Sequence, residues 1–164
     1  MGSADPLRAH VITFLRGGQA HMGFAEAVAA FPTALINARP PNVEYTFWHL
    51  VEHVRRTQAD ILDYVTNPGY RELAWPDEYW PPPDARATKD DWDRSVAAFE
   101  RDLEALIAVV EDAGTDLFGA VPSGGQHTLL REALLAADHK AYHAGELGIL
   151  RRVADAWPAH RSAS

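Results

Sequence analysis

Two histidines spaced four residues apart carry the clearest chemical signal in this sequence. His139 and His143 occur in the segment DHKAYHAG, within a proline-free stretch that covers residues 126–157. Four residues turn an α-helix by about 400°, so the two imidazoles lie one above the other on the same face. Two imidazoles in this arrangement can bind one metal ion, and a firmly held ion needs a third ligand from elsewhere in the chain.

The third ligand is expected from a second predicted helix, which carries another pair of histidines. His49 shares its helical face with Glu52 and Arg56, and we expect that face to be solvated. His53 lies instead at the edge of the apolar stripe, in line with Leu50. His53 is therefore the preferred third ligand, and His49 is the alternative.

Three imidazole ligands favour certain metals and one kind of site. They suit zinc, nickel, iron or copper, and they disfavour magnesium and calcium, which prefer oxygen ligands. We expect one divalent transition metal, with zinc or nickel preferred, and a coordination position left open for water or a substrate. Residues that are close in sequence and could orient the rings are Glu52, Asp138, Tyr142 and Glu146. The alternative is that the histidines only pack in the core, with their polar atoms satisfied by hydrogen bonds.

The elements that must position these residues are helices. Apolar residues recur at steps of three and four in four segments, which predict principal helices at about residues 6–16, 46–65, 88–113 and 127–156. A short helix is predicted at residues 24–31. Residues 66–87 contain five prolines and four aromatic residues, and they form a long connection between the second and third principal helices. We predict an all-α four-helix bundle that forms a single domain over residues 1–164.

Composition excludes several classes of function. A net charge of −8 argues against a nucleic-acid-binding surface, which needs clustered Lys and Arg. The absence of cysteine removes disulfides, thiolate metal ligands and a cysteine nucleophile. No apolar run is long enough for a membrane span, and no signal peptide is recognisable, so we expect a soluble cytoplasmic protein.

Two long segments resemble those of a known family. Residues 47–64 read FWHLVEHVRRTQADILDY, and residues 125–157 contain DHKAYHAGE. The first resembles the second-helix signature of the DinB-like superfamily, which also includes YfiT-type proteins. The second is similar to the last helix of that family, where a DHNAYHxGQ-type motif supplies two metal histidines. The aromatic loop with Trp75-Pro76 and Tyr79-Trp80-Pro81 matches one subgroup.

The resemblance implies a fold, a metal site and a range of activities. It places the metal ligands on His53, His139 and His143. It also implies a four-helix bundle with a long second connection, and proteins of the family are often homodimers. Lys140 stands where the family motif has Asn, and Glu146 stands where it has Gln. Characterised members include thiol-dependent S-transferases and a mycothiol-dependent isomerase, and many members have no known reaction.

The leading functional hypothesis is a metal-dependent enzyme whose ion activates a thiol or water, as a transferase or a hydrolase. Because the chain has no cysteine, a thiol would have to be a separate low-molecular-weight molecule. No second catalytic set is recognisable, so no catalytic residue is assigned beyond the metal ligands. Two alternatives stay open: a non-catalytic, stress-related bundle that binds a metal or small ligand, and a vestigial bundle whose histidines only pack.

Overall fold

The computed structural model describes residues 5–158, and every regular element of two or more turns in this range is an α-helix. These helices are α1 (Pro6–Arg16), α2 (Phe24–Val28), α3 (Phe47–Thr66), α4 (Lys89–Glu111) and α5 (Leu129–Val153), with a short 3-10 turn at Thr33–Leu35. The predicted all-α fold is confirmed. Residues 1–4 and 159–164 of the predicted domain lie outside the described residues. Within residues 5–158, no helix combines the length and apolarity needed to cross a membrane.

Each of the four long helices begins at a side chain that caps it. Asp5, Thr46, Thr88 and Thr128 each accept a hydrogen bond from a backbone N–H of the first turn. Thr88 also forms a reciprocal capping box with Asp91. These caps satisfy N–H groups that have no partner within the helix. They fix where α3 and α5 begin, and so they set the level of the histidines along each helix.

The four long helices form a bundle in which α5 contacts all the other helices. α1 and α3 each pack against both α4 and α5, and α2 packs against α5. One half of the core surrounds Phe47 and Phe99, and the other half surrounds Leu15 and Leu106. Because α5 has neighbours on several sides, its buried residues occupy more than one face, and many of them are small. Small side chains allow neighbouring elements to approach closely, as Met22 does at Gly148.

The long connection between α3 and α4 folds back along α3. The hydroxyls of Tyr70 and Tyr79 donate hydrogen bonds of 3.0 Å and 2.7 Å to the carboxylate of Asp60. The guanidinium of Arg56 donates to the backbone carbonyl of Trp80 at 3.0 Å. The predicted long connection is therefore confirmed, and polar side chains of α3 hold it against the bundle.

A pair of leucines tests the bundle core. Leu106 on α4 is 0% exposed, and Leu134 on α5 is 47% exposed. We expect Leu106→Ala to lower the free energy of unfolding by about 3 kcal/mol, because the substitution leaves a cavity in a packed core. Leu134→Ala should change it by about 0.5 kcal/mol or less. Urea unfolding followed by circular dichroism measures both, and equal losses would contradict the described packing.

Candidate metal centre

Three imidazoles meet where α3 packs against α5. His53 comes from α3, His139 and His143 come from α5, and their candidate ligand nitrogens all lie within 4.8 Å of one another. The Nε2 atoms of His53 and His139 are 3.1 Å apart. Within residues 5–158, no other group of three His, Asp or Glu side chains converges in this way. The structure therefore brings together the three histidines that the helical spacing selected.

The orientation of His53 is fixed by the long connection. Its Nδ1 lies 3.2 Å from the backbone carbonyl of Tyr79, and the ring of Trp80 stacks on it with centroids 4.0 Å apart. A carbonyl can only accept, so Nδ1 carries the proton and Nε2 presents its lone pair to the cluster. Sequence reasoning could not anticipate the Tyr79 contact, because the group involved is a backbone carbonyl.

A carboxylate orients the ring of His143, so that its Nε2 also presents a lone pair to the cluster. Its Nδ1 lies 2.6 Å from Oε2 of Glu146, and the other carboxylate oxygen accepts a short hydrogen bond from the hydroxyl of Tyr45. Burial opposes ionisation of Glu146, but the hydrogen bonds from His143 and Tyr45 lower the pKa of this carboxyl group. Glu146, one of the residues predicted to orient the rings, therefore contacts an imidazole of the cluster. Sequence reasoning missed Tyr45, which is distant in the chain and reaches the site only through the fold.

Burial keeps two of the three rings uncharged. Burial, together with the neighbouring His143 and His53, lowers the pKa of His139 to about 3. Burial also lowers the pKa of His53 to about 4, although its hydrogen bond to Tyr79 acts in the opposite direction. Both rings are therefore neutral at pH 7, which is the state that a metal ligand requires.

The other residues predicted to orient the rings differ in their positions. Tyr142 is 69% exposed, but its ring meets that of His143 edge to face with centroids 4.8 Å apart. Asp138 is exposed on α5. Glu52 is buried, and its carboxylate accepts hydrogen bonds from Ser95 and from two arginines of α3 rather than from an imidazole.

The expectation of a solvated face around His49 is wrong. His49 is 2% exposed, and its Nε2 donates to the backbone carbonyl of Ala85 at 2.9 Å. The long connection covers this face of α3, which a helical wheel for one helix does not reveal. His49, the alternative ligand, lies outside the cluster and ties the end of the connection to α3.

Lys140, which departs from the family motif, points toward α1. Its buried Nζ donates a short hydrogen bond to the carbonyl of Leu15 near the end of that helix. Burial lowers the pKa of Lys140 to about 8. The ammonium group therefore serves the packing of α1 against α5, and the histidine cluster does not include it.

The donor set fits a transition-metal ion. Neutral imidazoles suit zinc, nickel, copper and iron, and two rigid helices hold the three rings with little freedom to rearrange. The Nδ1 atoms of His53 and His143, the outer nitrogens of these rings, each face a hydrogen-bond acceptor. Such an acceptor is usual for the ring nitrogen of a metal-binding histidine that does not bind the metal. The three histidines could therefore hold a metal ion and leave a coordination position for an external ligand.

Comparison with known proteins gives one result. No curated protein and no solved structure matches the chain significantly. A sequence profile of the DinB superfamily matches residues 18–147, a segment that includes α3, the long connection, α4 and all three clustered histidines. Since this match covers most of the chain and the described residues form an all-helical bundle, the protein belongs to the DinB superfamily.

Proposed function

We propose that the protein binds one divalent transition-metal ion, zinc or nickel, through His53, His139 and His143, and that it uses the ion to activate a thiol or water. The observation that supports this proposal is the convergence of three imidazole nitrogens within 4.8 Å. The outer nitrogens of His53 and His143 both face acceptors, so their lone pairs point toward a common centre. Membership of the DinB superfamily is compatible with such a site.

The surrounding residues prepare the site for this role. When bound, the ion supplies a Lewis acid that lowers the pKa of a ligand in the open position. Glu146 accepts the Nδ1 proton of His143 and so fixes the tautomer, while Tyr45 holds the second carboxylate oxygen. Trp80 covers one face of His53 and keeps water from that ring. These contacts orient the ligands without taking part in a bond-breaking step.

An external thiol is the first candidate for the activated ligand. The chain has no cysteine, so a thiolate must come from a separate molecule. The family resemblance includes thiol-dependent transferases, which favours this choice over water. The second candidate is water activation by a hydrolase, and a non-catalytic binding protein is the alternative to both.

Metal binding should depend on the three clustered histidines and not on His49. We expect one ion per chain in the wild-type protein and in His49→Ala, because His49 bonds to a carbonyl outside the cluster. Replacing His53, His139 or His143 with Ala should abolish stoichiometric binding. Glu146→Gln should weaken affinity by about 10-fold, because the carboxylate only orients its histidine.

Calorimetric titration of metal-free protein, combined with elemental analysis, measures these affinities. The protein should carry no His tag, since a tag would bind the same ions. Tight binding by His53→Ala together with loss of binding in His49→Ala would reverse the assignment of the third ligand.

The metal-free protein should lose stability as the pH falls below about 6.5. His53 and His139 have lowered pKa values when folded, so only the unfolded chain takes up protons between that pH and about 4. Each ring should reduce the free energy of unfolding by about 2 kcal/mol between pH 7 and pH 5. Urea unfolding at several pH values measures this slope.

The matched control for the pH experiment is a surface histidine. His139→Ala should show a smaller decrease between pH 7 and pH 5 than the wild-type protein, because one buried titrating ring is gone. His10→Ala should keep the wild-type slope, since His10 is exposed on α1. Identical slopes in all three proteins would mean that the buried imidazoles do not control the acid sensitivity.

A low-molecular-weight thiol should bind to the cobalt-substituted protein through its sulfur. Thiolate ligation adds an intense near-ultraviolet charge-transfer band, and a bound cation favours the thiolate form at neutral pH. Glutathione, mycothiol, bacillithiol and simple aliphatic thiols should each be titrated, with the corresponding alcohols as controls. If none of the thiols changes the cobalt spectrum at millimolar concentration, water activation or plain ligand binding becomes the better account.

A further inference from the structure

A cavity of about 530 Å³ lies beside the histidine cluster. It is bounded by α3, the long connection and the first turns of α5, and its volume is typical of small-molecule sites. Thr57 in its wall is one helical turn from His53, and Leu135 is one turn from His139. Tyr79 belongs to both sites, since its carbonyl contacts His53 and its side chain lines the cavity.

Carboxylates outnumber cations in the wall of this cavity. Asp60, Glu72 and Glu132 contribute three acidic groups, and the basic side chains are Arg131 and His127. Both basic side chains bond to the same oxygen of Glu132, Oε1, at 2.7 Å and 2.8 Å. Among the described residues, no donor reaches the second oxygen, Oε2, although Glu132 is only 3% exposed. The cavity thus contains a buried carboxylate with an unused acceptor.

The titration of nearby groups shows that this region disfavours further negative charge. Burial raises the pKa of Asp60, and the nearby carboxylates of Asp63 and Glu132 raise it further. Hydrogen bonds from two tyrosines lower it, but the pKa remains above its usual value. Burial, together with Asp60, raises the pKa of the Tyr70 hydroxyl. Burial penalises a charge of either sign, but the neighbouring carboxylates that raise these two pKa values would attract a cation.

The walls suit an organic cation better than a metal ion. The carboxylates do not converge as metal ligands, because the histidine cluster is the single such group within residues 5–158. Tyr64 and Tyr70 meet edge to face with centroids 5.1 Å apart, and aromatic rings attract ammonium groups. An ammonium group offers three N–H donors and no acceptor, which matches the oxygen of Glu132 that no donor reaches.

We propose that this cavity binds the protonated amine of a small organic molecule, with Oε2 of Glu132 as its main acceptor. Glu72, at the exposed rim, adds attraction for the incoming cation. The remainder of the molecule extends toward the histidine cluster, one helical turn away. This inference rests on the proposed function, because the amine is one end of the substrate whose other end meets the metal.

Binding of a simple amine tests the cavity directly. n-Butylamine, which is protonated at pH 7, should be titrated into both the metal-free and the zinc-loaded protein and followed by NMR chemical shifts. Butan-1-ol and butyrate, which have the same chain length, are the matched ligands. We expect the amine to bind both forms of the protein, with the alcohol and the carboxylate at least about 10-fold weaker, because they lack the charge-assisted hydrogen bond.

Four variants separate recognition from a loss of folding. Glu132→Gln should weaken amine binding by about 10-fold or more, and Glu72→Gln by about threefold, since the rim is solvated. Arg131→Gln should tighten amine binding by about threefold, because the substitution removes a cation that competes with the amine for Glu132. A gain in affinity cannot result from loss of folding, so this variant separates the two explanations. Glu100→Gln, on an exposed part of α4, should leave the affinity unchanged.

The outcomes distinguish this inference from the proposed function. Equal binding of butan-1-ol, or wild-type amine affinity in both Glu132→Gln and Glu72→Gln, overturns the amine site. Metal binding without any amine binding overturns the amine site and leaves the metal proposal intact. Amine binding that depends on Glu132, in a protein with no metal affinity, supports the amine site and overturns the metal proposal.

Discussion

The convergence of three imidazoles between α3 and α5 is the constraint on which the arrangement of the site depends. The outer nitrogens of His53 and His143 face acceptors, so both rings present an Nε2 lone pair to the cluster. Only His139 can offer a proton there, and its Nε2 lies 3.1 Å from that of His53. One proton cannot satisfy two lone pairs at once. A shared cation would accept both lone pairs, which is the physical reason why the three histidines could hold a metal ion.

The long connection positions both the cluster and the cavity. Tyr79 contributes its carbonyl to His53 and its hydroxyl to Asp60, so one residue contacts a candidate metal ligand and a wall of the cavity. His49 fastens the far end of the same connection through the carbonyl of Ala85. Displacement of the connection would therefore alter the orientation of His53 and the shape of the cavity together. A ligand that orders the connection would favour the orientation that metal binding requires.

Sequence reasoning succeeded where local periodicity carries the information. The long helices and the shared face of His139 and His143 follow from spacing within one segment. It failed for His49, because the residues that bury this side chain belong to a connection more than 30 positions away. Tyr45 and the carbonyl of Tyr79 were also beyond its reach. Contacts of this kind depend on how segments meet in space, and a single sequence contains no local pattern for them.

The helices carry the three histidines, whereas the long connection supplies part of the cavity wall, and this difference bears on ligand specificity. The three histidines lie on two long helices that are packed on several sides, so their geometry tolerates little change. The cavity wall draws Tyr70, Glu72 and Tyr79 from the connection, where substitutions disturb fewer core contacts. The same three histidines can therefore be combined with different cavity walls when the connection changes. For this reason membership of the family does not determine which ligand binds, and the acidic, tyrosine-lined wall of this chain is what supports the proposal of a cationic ligand.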